Sequence, residues 1–398
     1  MSERVYLLGE NSFLGKNVYV QLKKQYNKIV LLSHSDINVL SEATNDDIII
    51  NFCGVNRADS YEEYEKANYL FLKEILSRLN DNRPYFVHVS SLMVYGFMNK
   101  SVDKLGDYQK WFIKTKLEGE RFLKENYDST KLCIVRPSNV YGYSCTPYYN
   151  NLLSTMVYEK LNGLSKINKI NKNCVRNMLS IEGFCVKVLE LISLKKDGIF
   201  NILSNNSVLL GDMTNMLYNG NISEKITLQD GDADVPNMES ETITGVNLIF
   251  EECLKDKIIE LEKNMALYVK LSQQVTVKKL NKLVQPRGEM VEISSLESKR
   301  LYKITLTENS VRGNHFHYKQ VEEFYTNRGI VLYLLAYSEN PDVIYQFKSV
   351  ENDIIRIEPT IIHTLTNDYK NNHPEMIVMS TQEYIANEIP DTKYINIV

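Results

Sequence analysis

The stretch that decides the fold of the second half of the chain reads Gly313-Asn-His-Phe-His-Tyr-Lys-Gln-Val-Glu322. His315 and His317 are two residues apart, so on a β-strand both imidazoles point to the same face. Glu322 follows after a short turn, and a later apolar run ends at a third histidine, His363. Three imidazoles and one carboxylate suit a divalent first-row metal. The sequence therefore predicts that these four side chains bind one metal ion.

The sequence around this site is typical of an all-β fold. After Ser272 short alternating apolar runs recur, and no long helical pattern remains. The chain has six histidines and three of them fall in the predicted site, which favours metal binding over the alternative of structural histidines. All six cysteines precede Ser272, so thiolates are excluded as ligands of this site.

The first 140 residues have a different pattern, in which short apolar runs alternate with longer amphipathic stretches. Runs that are apolar throughout indicate parallel strands buried on both faces, and the amphipathic stretches indicate the helices that cover them. This pattern predicts a doubly wound, Rossmann-type α/β domain. The predicted strands are Val5–Leu8, Ile29–Leu32, Ile48–Phe52, Phe86–Val89 and Leu132–Val135, and the predicted helices are Asn17–Tyr26, Tyr64–Leu79 and Gln109–Tyr127.

The pattern between residues 143 and 250 is less regular. It predicts a helix at Ile181–Leu194, a strand at Ile199–Leu203 and a surface loop at Lys166–Asn173. A charged amphipathic stretch at Phe250–Leu267 predicts a helix that closes the first domain. We therefore expect two domains, at residues 1–272 and 273–398.

A turn at residues 8–15 follows the first predicted strand and precedes the first predicted helix. In such a turn the backbone N–H groups and the helix N-terminus can hold a pyrophosphate. Ser12 stands where the usual pattern has its middle glycine, so its side chain either crowds the backbone approach or offers a hydroxyl to phosphate. A tight turn without a ligand is the alternative. The predicted cofactor-binding residues of this turn are Gly9, Ser12, Phe13, Leu14 and Gly15.

Composition excludes several classes of partner. The chain of 398 residues has a formal net charge of −4 and a pI near 6.0, which gives no electrostatic case for nucleic acid or an anionic membrane surface. The six cysteines form no C-x-x-C pair, which argues against a disulfide framework. The chain shows no signal-peptide pattern, and no apolar run approaches the ~20 residues that span a bilayer. We therefore expect a soluble cytoplasmic protein without nucleic-acid or membrane partners.

Two motifs of the second domain resemble those of the cupin superfamily, namely His315-x-His317-x₄-Glu322-x₆-Gly329 and Pro359-x₃-His363-x₃-Asn367. The resemblance implies an all-β cupin barrel with a bound divalent metal, for which zinc is the expected ion.

Two further segments, Arg312-Gly-Asn-His315 and Arg287-Gly-Glu-Met-Val-Glu292, look like segments of deoxysugar epimerase cupins. In those metal-free epimerases the corresponding histidine is the catalytic base. His315 is therefore either a metal ligand or a base, and Glu322 and Tyr318 are the other candidates for proton transfer.

Three segments of the first domain resemble the extended short-chain dehydrogenase/reductase family: Asn51-Phe-Cys-Gly54-Val-Asn-Arg57, Val89-Ser-Ser91-Leu-Met-Val-Tyr95-Gly96 and Val135-Arg-Pro-Ser-Asn139-Val-Tyr-Gly142. The resemblance implies that Ser91 and Lys116 are catalytic and that Gly54 and Lys116 contact the nicotinamide cofactor. It also implies that Asn139 and Arg176 bind the nucleotide-sugar substrate.

The first domain departs from that family at the catalytic tyrosine. The family requires Tyr-x-x-x-Lys, in which the phenol transfers a proton and the lysine holds the nicotinamide ribose. Here the pattern is Phe112-Ile-Lys-Thr-Lys116, and phenylalanine has no proton to give. Tyr108, one helical turn earlier, is the alternative donor. His34 and its two serine neighbours replace the acidic residue that would bind a ribose 2′-hydroxyl, which favours NADP, or a damaged cofactor site, over NAD.

The order of the two domains gives a wider resemblance. The whole chain is similar to the bifunctional capsular-polysaccharide enzymes of UDP-N-acetyl-L-fucosamine synthesis. The resemblance implies that the cupin domain epimerises C3 of a UDP-4-keto-6-deoxy-HexNAc sugar and that the first domain reduces the 4-keto group with NADPH. It also implies a UDP-sugar substrate and a homodimer.

Two other hypotheses stay open. Phe112 suggests a cupin epimerase or isomerase whose first domain only binds nucleotide sugar or mediates dimerisation. The other is a non-enzymatic binding module, such as a nucleotide-sensing regulator. Such a regulator should bind NADP without turnover and should hold no metal.

Overall fold

The structure is a computed structural model that describes residues 3–98, 102–220, 226–237, 245–280, 282–285, 288–291, 297–382 and 391–398. The chain divides into two compact units. The first comprises Met1–Tyr26 and Leu31–Met265, and the second comprises Asn27–Val30 and Ala266–Val398.

The α-helices of the described residues are α1 (Phe13–Lys23), α2 (Tyr61–Glu65), α3 (Phe71–Arg78), α4 (Asp107–Asn126), α5 (Leu152–Asn162), α6 (Ile181–Ser193), α7 (Leu210–Tyr218) and α8 (Leu254–Gln274). A π-helical turn, Lys66–Leu70, joins α2 to α3, and short 3-10 helices occur at Ile37–Glu42, Leu92–Tyr95, Val102–Lys104 and Ser129–Lys131.

The described strands between residues 5 and 250 are β1 (Val5–Leu8), β2 (Ile29–Leu32), β3 (Ile48–Asn51), β4 (Tyr85–Val89), β5 (Leu132–Pro137), β6 (Asn139–Tyr141), β7 (Lys169–Asn171), β8 (Val175–Ser180), β9 (Gly198–Ser204), β10 (Ser207–Leu209), β11 (Thr227–Gln229) and β12 (Val246–Phe250). Seven of them form one sheet in the order β12-β9-β5-β4-β3-β1-β2. The pairs that run from β1 through β3, β4, β5 and β9 to β12 are all parallel. The Rossmann-type prediction is therefore confirmed.

The sheet brings the carboxyl ends of its central strands to one edge, which is where ligands bind in doubly wound folds. Leu8, the last residue of β1, lies opposite Asn51 of β3, and Asn51 lies opposite His88 of β4. β1, β2, β3 and β4 are buried along their whole length because helices cover both faces of a parallel sheet. The turn that begins at Gly9 after β1 and the segment after β4 that contains Ser91 therefore lie at the same edge of the sheet.

The region between residues 143 and 250 is more regular than the sequence pattern indicates. Lys166–Asn173, predicted as a surface loop, contains strand β7, which pairs in parallel with β11. The prediction is wrong there because three-residue strands carry too little periodicity to be read. The helices α5 and α7 were also not predicted, and Phe250 ends strand β12 instead of starting the closing helix.

The second unit contains the strands β13 (Thr276–Lys279), β14 (Lys282–Gln285), β15 (Gly288–Val291), β16 (Arg300–Thr305), β17 (Ser310–His317), β18 (Glu322–Arg328), β19 (Val331–Tyr337), β20 (Asn340–Ser349), β21 (Asp353–Ile357), β22 (Ile361–Asn367), β23 (Glu375–Ser380) and β24 (Thr392–Tyr394). Two five-stranded sheets have the orders β13-β21-β18-β23-β16 and β20-β19-β22-β17-β24, and β14 pairs with β15.

These two sheets share one apolar core. Phe324, Ile355 and Val378 from the first sheet pack in the same cluster as Tyr333 and Leu365 from the second. The neighbouring strands described in both sheets pair antiparallel. The alternation of inward apolar residues along these strands is what the sequence pattern predicted, and the all-β architecture of this unit is confirmed.

Within the part of the chain that the structure describes, no helix combines the length and the apolar character needed to cross a bilayer.

Candidate metal centre and nucleotide site

Four side chains of the second unit bring their donor atoms together. His315 and His317 lie on β17, Glu322 begins β18, and His363 lies on β22. One donor atom from each lies within 4.8 Å of those of the other three. His315 faces His363 across an antiparallel pair, while Glu322 comes from the other sheet. The cluster is therefore held between the two sheets, and it contains all four residues predicted from the sequence.

The spacing of these donors suits one ion. Oε2 of Glu322 lies 3.3 Å from Nε2 of His317 and 3.3 Å from Nε2 of His363. Donors that bind one ion at about 2.1 Å in a tetrahedral arrangement lie roughly 3.4 Å apart. Among the described residues, Oε2 of Glu322 and Nδ1 of His315 are buried and have no hydrogen-bond partner of acceptable geometry. A divalent cation would satisfy both, so the residues present fit a metal.

The outer nitrogens of two imidazoles are held by partners outside the cluster. Nδ1 of His363 lies 3.4 Å from the carbonyl oxygen of Ile361, and Nδ1 of His317 lies 3.0 Å from Oγ1 of Thr392. A carbonyl oxygen can only accept, so it favours the tautomer of His363 that carries its proton on Nδ1. The lone pair of Nε2 then faces the cluster, which is the tautomer that a metal ligand needs.

The Glu322 carboxylate is held at its second oxygen. The Tyr302 hydroxyl donates to Oε1 at 2.7 Å, and Nε2 of Gln320 donates to the same atom at 2.8 Å. Burial alone would raise the pKa of Glu322, but the facing His317 and His363 lower that pKa well below its usual range. The carboxylate is therefore anionic and oriented with Oε2 toward the imidazoles.

His315 is the least buried of the four. Burial, and then the neighbouring His363, lower the pKa of His315 to about 4, so its imidazole is neutral at ordinary pH. Its ring centroid lies 4.4 Å from that of His363 and 5.4 Å from that of Tyr394. The neutral ring suits a metal ligand and a general base equally, so both roles stay open. Tyr318, another candidate, is 53% exposed.

A glycine makes the approach of β17 to β22 possible. Gly313 has a φ of +95°, and a Cβ built on it would lie 2.3 Å from the carbonyl oxygen of His363. The register between β17 and β22 shifts between Gly313 and His315. Without a side chain at residue 313, the strand can bulge and place the next histidine opposite His363.

The turn after β1 uses Ser12 internally. The Ser12 hydroxyl donates to the carbonyl oxygen of Gly9 at 2.7 Å and accepts from the backbone N–H of Gly15 at 3.0 Å. Ser12 is thus the N-cap of α1. Phe13 is buried and Leu14 is half-buried. Of the two alternatives for Ser12, a phosphate contact through the hydroxyl is disfavoured because both of its hydrogen bonds stay within the turn.

Lys116 lies inside the first unit beside Gly54. Its Nζ donates to the carbonyl oxygen of Val89 at 3.2 Å, and a Cβ built on Gly54 would lie 2.9 Å from Nζ. Burial lowers the pKa of Lys116 to about 8. Oγ of Ser91 accepts from the backbone N–H of Met93 at 3.2 Å, as the N-cap of the following 3-10 helix. The structure thus gathers Lys116, Gly54 and the end of β4, where Ser91 follows.

Phe112 occupies the position of the missing tyrosine. It is buried, its ring centroid lies 5.9 Å from Nζ of Lys116, and it packs edge-to-face against Tyr64 at 6.3 Å. Tyr108, the alternative proton donor, is 54% exposed in the first turn of α4. The ring beside the lysine therefore carries no hydroxyl.

The predicted substrate residues Asn139 and Arg176 lie in one small sheet of the first unit, in the order β10-β8-β6. Nη2 of Arg176 pairs with Asp234 at 2.9 Å, and its Nη1 donates to the carbonyl oxygens of Val175 and Asp234. Nδ2 of Asn139 donates to the carbonyl oxygen of Asn177 at 3.3 Å. Both side chains thus have partners within the protein, and a diphosphate would have to compete with Asp234 for the guanidinium.

Four partner residues of these sites were not predicted, namely Tyr302, Gln320, Thr392 and Asp234. Gln320 was signalled only by its position two residues before Glu322. The other three come from distant parts of the chain, which local patterns cannot connect. Arg287 and Glu292, noted in the epimerase resemblance, lie outside the described residues.

Comparison with known proteins agrees with the two-part organisation. Residues 5–202 match the NAD dependent epimerase/dehydratase family, and residues 284–393 match the Polysaccharide biosynthesis C-terminal domain. A search of curated proteins finds no match. The first match is to a family of NAD-dependent enzymes, and the second is to a domain of polysaccharide biosynthesis.

Solved structures show similarity at low sequence identity. The capsular polysaccharide assembling protein CapF from Staphylococcus aureus is 18% identical, with 98% of this chain and 99% of that chain covered and a TM-score of 0.45. MoeE5, solved with UDP-glucose and NAD, is 16% identical, with 68% and 100% covered and a TM-score of 0.53. UDP-N-acetylglucosamine 4-epimerase from Bacillus cereus is 15% identical, with 67% and 97% covered and a TM-score of 0.50. The last two support the Rossmann-type fold of the first unit.

Proposed function

We propose that residues 273–398 form a metal-dependent cupin that epimerises C3 of a UDP-4-keto-6-deoxy-HexNAc sugar. The observation that carries this proposal is the convergence of donor atoms of His315, His317, Glu322 and His363 within 4.8 Å, together with two buried atoms of the set, Oε2 of Glu322 and Nδ1 of His315, that have no hydrogen-bond partner among the described residues. These four residues would hold a divalent ion, with zinc as the expected one.

The chemistry of the substrate fits such a site. A 4-keto group acidifies the neighbouring C3–H, so epimerisation needs removal of that proton and its return on the opposite face of the sugar. A divalent ion held by the four side chains would supply Lewis-acid polarisation of the ketone, which would make the C3 proton easier to remove. The buried Glu322, fixed by Tyr302 and Gln320, suits the role of a ligand. The exposed Tyr318 is then a candidate for moving the proton, and His315 is the other candidate if the ion is held by His317, Glu322 and His363 alone.

The first unit, residues 1–272 in this proposal, would bind NADP and the nucleotide sugar but transfer hydride poorly. The observation that favours this is Phe112, whose ring lies beside Lys116 without a hydroxyl. The retained Lys116, Gly54 and Ser91 support the alternative that the unit still reduces the 4-keto group with NADPH, with Tyr108 as the donor. The homodimer implied by the family resemblance stays a prediction.

The deciding experiment follows both reactions in one tube. Zinc-loaded protein is incubated in D₂O with a UDP-4-keto-6-deoxy-HexNAc sugar and NADPH. Deuterium at C3 is measured by mass spectrometry, and NADPH by absorbance. We expect deuterium incorporation with little NADPH oxidation.

The outcomes separate the hypotheses. His363→Ala should abolish the exchange, while Lys393→Ala, an exposed change near the site, should leave it intact. Exchange with rapid NADPH oxidation would support the bifunctional enzyme. Absence of exchange in the zinc-loaded protein would sink both epimerase hypotheses, and NADP binding without turnover would then favour the regulator.

A further inference from the structure

Residues 391–398, here called the β24 segment, lie against the strand and turn that carry three of the four metal donors. Strand β24 pairs antiparallel with β17, and in this register His317 faces Thr392 and His315 faces Tyr394. The segment is therefore the outer neighbour of the His-x-His strand, in the sheet order β20-β19-β22-β17-β24.

Asp391 fixes the turn between β17 and β18. Its Oδ2 accepts the backbone N–H groups of Lys319 and Gln320 at 3.1 and 3.0 Å, and its carbonyl oxygen accepts the N–H of Tyr318 at 3.0 Å. Gln320 in turn donates to Glu322. Asp391 thus holds three successive N–H groups of the turn that leads to Glu322, two through its carboxylate and one through its carbonyl oxygen.

Thr392 acts on a donor directly. Its Oγ1 lies 3.0 Å from Nδ1 of His317, whose Nε2 faces Glu322 Oε2 at 3.3 Å. When the threonine oxygen accepts a hydrogen bond from Nδ1, the lone pair of Nε2 is directed at the cluster, where Nε2 of Gln320 lies 3.3 Å from it. The hydroxyl oxygen of Thr392 is therefore the hydrogen-bond acceptor for Nδ1 of His317, as the carbonyl oxygen of Ile361 is for Nδ1 of His363.

Asn314 anchors the rest of the segment. It lies in the bulge of β17 between Gly313 and His315, and its φ is +54°. Its carbonyl oxygen accepts from the N–H of Ile395 at 2.8 Å, its Oδ1 accepts from the N–H of Ile397 at 3.1 Å, and its Nδ2 donates to an oxygen of Val398 at 3.2 Å. The side chain of Ile397 is 3% exposed. The segment is thus fixed on both sides of Thr392.

We propose that two residues of the β24 segment, Thr392 and Asp391, belong to the metal centre as positioning residues, Thr392 for His317 and Asp391 for the turn that carries Gln320. This inference rests on the proposed metal site and adds to it a determinant of affinity outside the four donors. The contacts fall on the outer nitrogen of a donor and on the backbone of the turn, and not only on the apolar core. Partners of this kind typically contribute a factor of about 10–100 to metal affinity.

The test uses the full chain with Zn²⁺ and Co²⁺ as probes. The variants are Thr392→Val, which keeps the shape but removes the acceptor, Thr392→Ser, which restores a hydroxyl, and Lys393→Ala as a control on an exposed neighbour. Competition against a chromophoric chelator gives the Kd, the visible spectrum of bound Co²⁺ reports ligand geometry, and thermal unfolding of the metal-free proteins reports the fold.

We expect Thr392→Val to weaken metal binding by about 10–100-fold and to change the Co²⁺ spectrum. Thr392→Ser and Lys393→Ala should bind like the parent, and all metal-free proteins should unfold at similar temperatures. Unchanged affinity and spectrum in Thr392→Val would overturn the inference while leaving the proposed function intact. A loss of affinity that merely follows a loss of metal-free stability would also overturn it. Failure of the parent to bind either ion would refute the proposed metal site itself.

Discussion

Replacing Phe112 with tyrosine tests whether a single hydroxyl separates the first unit from a working reductase. The ring is buried, and its centroid lies 5.9 Å from Nζ of Lys116. The amine is already held by the carbonyl oxygen of Val89 and is closely approached by Gly54. The substitution adds a proton donor to the face of helix α4 that carries Lys116. It leaves Lys116, Gly54 and Ser91 unchanged.

The expected gain follows from the role of a general acid. A positioned proton donor contributes about 10²–10⁴ in rate, or roughly 3–5 kcal/mol of activation free energy. The opposing effect is burial, because a hydroxyl left without a partner costs about 1–3 kcal/mol of stability. The Lys116 ammonium is a possible partner for that hydroxyl, and a cation beside a phenol lowers its pKa. We therefore expect Phe112→Tyr to raise the rate of NADPH oxidation about 10²–10⁴-fold with a modest loss of stability.

The assay follows NADPH absorbance with a 4-keto nucleotide sugar, and NADP affinity is measured in parallel. Phe112→Leu is the matched control, because it alters packing without adding a donor and should stay inactive. Tyr108→Phe distinguishes the other candidate donor. An unmodified protein that already oxidises NADPH at an ordinary enzymatic rate, about 1–10³ s⁻¹, would refute the reasoning. Loss of that activity in Tyr108→Phe would assign the donor.

Three further predictions concern stability. Chelation should lower the melting temperature, because an ion present at about 100–1,000 times its Kd stabilises a fold by roughly 3–4 kcal/mol. If chelation lowered the melting temperature of His363→Ala by the same amount, the proposed site would be contradicted. Glu120→Ala should cost about 3–5 kcal/mol in urea unfolding, because it removes the carboxylate that balances the charge of Arg136, which is 1% exposed and cannot lose its proton. A cost under about 1 kcal/mol would refute this. Burial lowers the pKa of Lys116 to about 8, so between that pH and about 10.4 the unfolded chain binds more protons than the folded protein, and stability rises with pH. Lys116→Met should lack this rise, and urea unfolding should show it to be more stable at pH 7 by up to about 3 kcal/mol. If the variant kept the same dependence of stability on pH, the amine of Lys116 would be ruled out as the source of the rise.

The convergence of the four side chains at the candidate metal centre was predictable because it follows from local geometry. His315 and His317 share a strand face, and a two-residue spacing is all that this requires. Glu322 and His363 were found through their spacing within longer motifs. The parallel sheet was predictable for a similar reason, since four central strands are apolar at almost every position.

The partners of these residues were not predictable because they depend on register between distant strands. Thr392 is 75 residues from His317, and Arg176 is 58 residues from Asp234. No periodicity links such positions. The role of Ser12 was left open by the sequence for another reason: a hydroxyl at a helix N-terminus can cap the helix or bind an anion, and only the hydrogen bonds to Gly9 and Gly15 favour one of these.

The long separation between His317 and Thr392 also bears on how the second unit folds. A contact between residues 75 positions apart closes a large loop, and antiparallel sheets built from such contacts fold slowly. The four donors span a much shorter stretch, from His315 to His363, so they can meet before β24 adds to the sheet. We therefore expect a refolding chain to bind metal weakly at first and more tightly in a later, slower phase, when β24 pairs with β17.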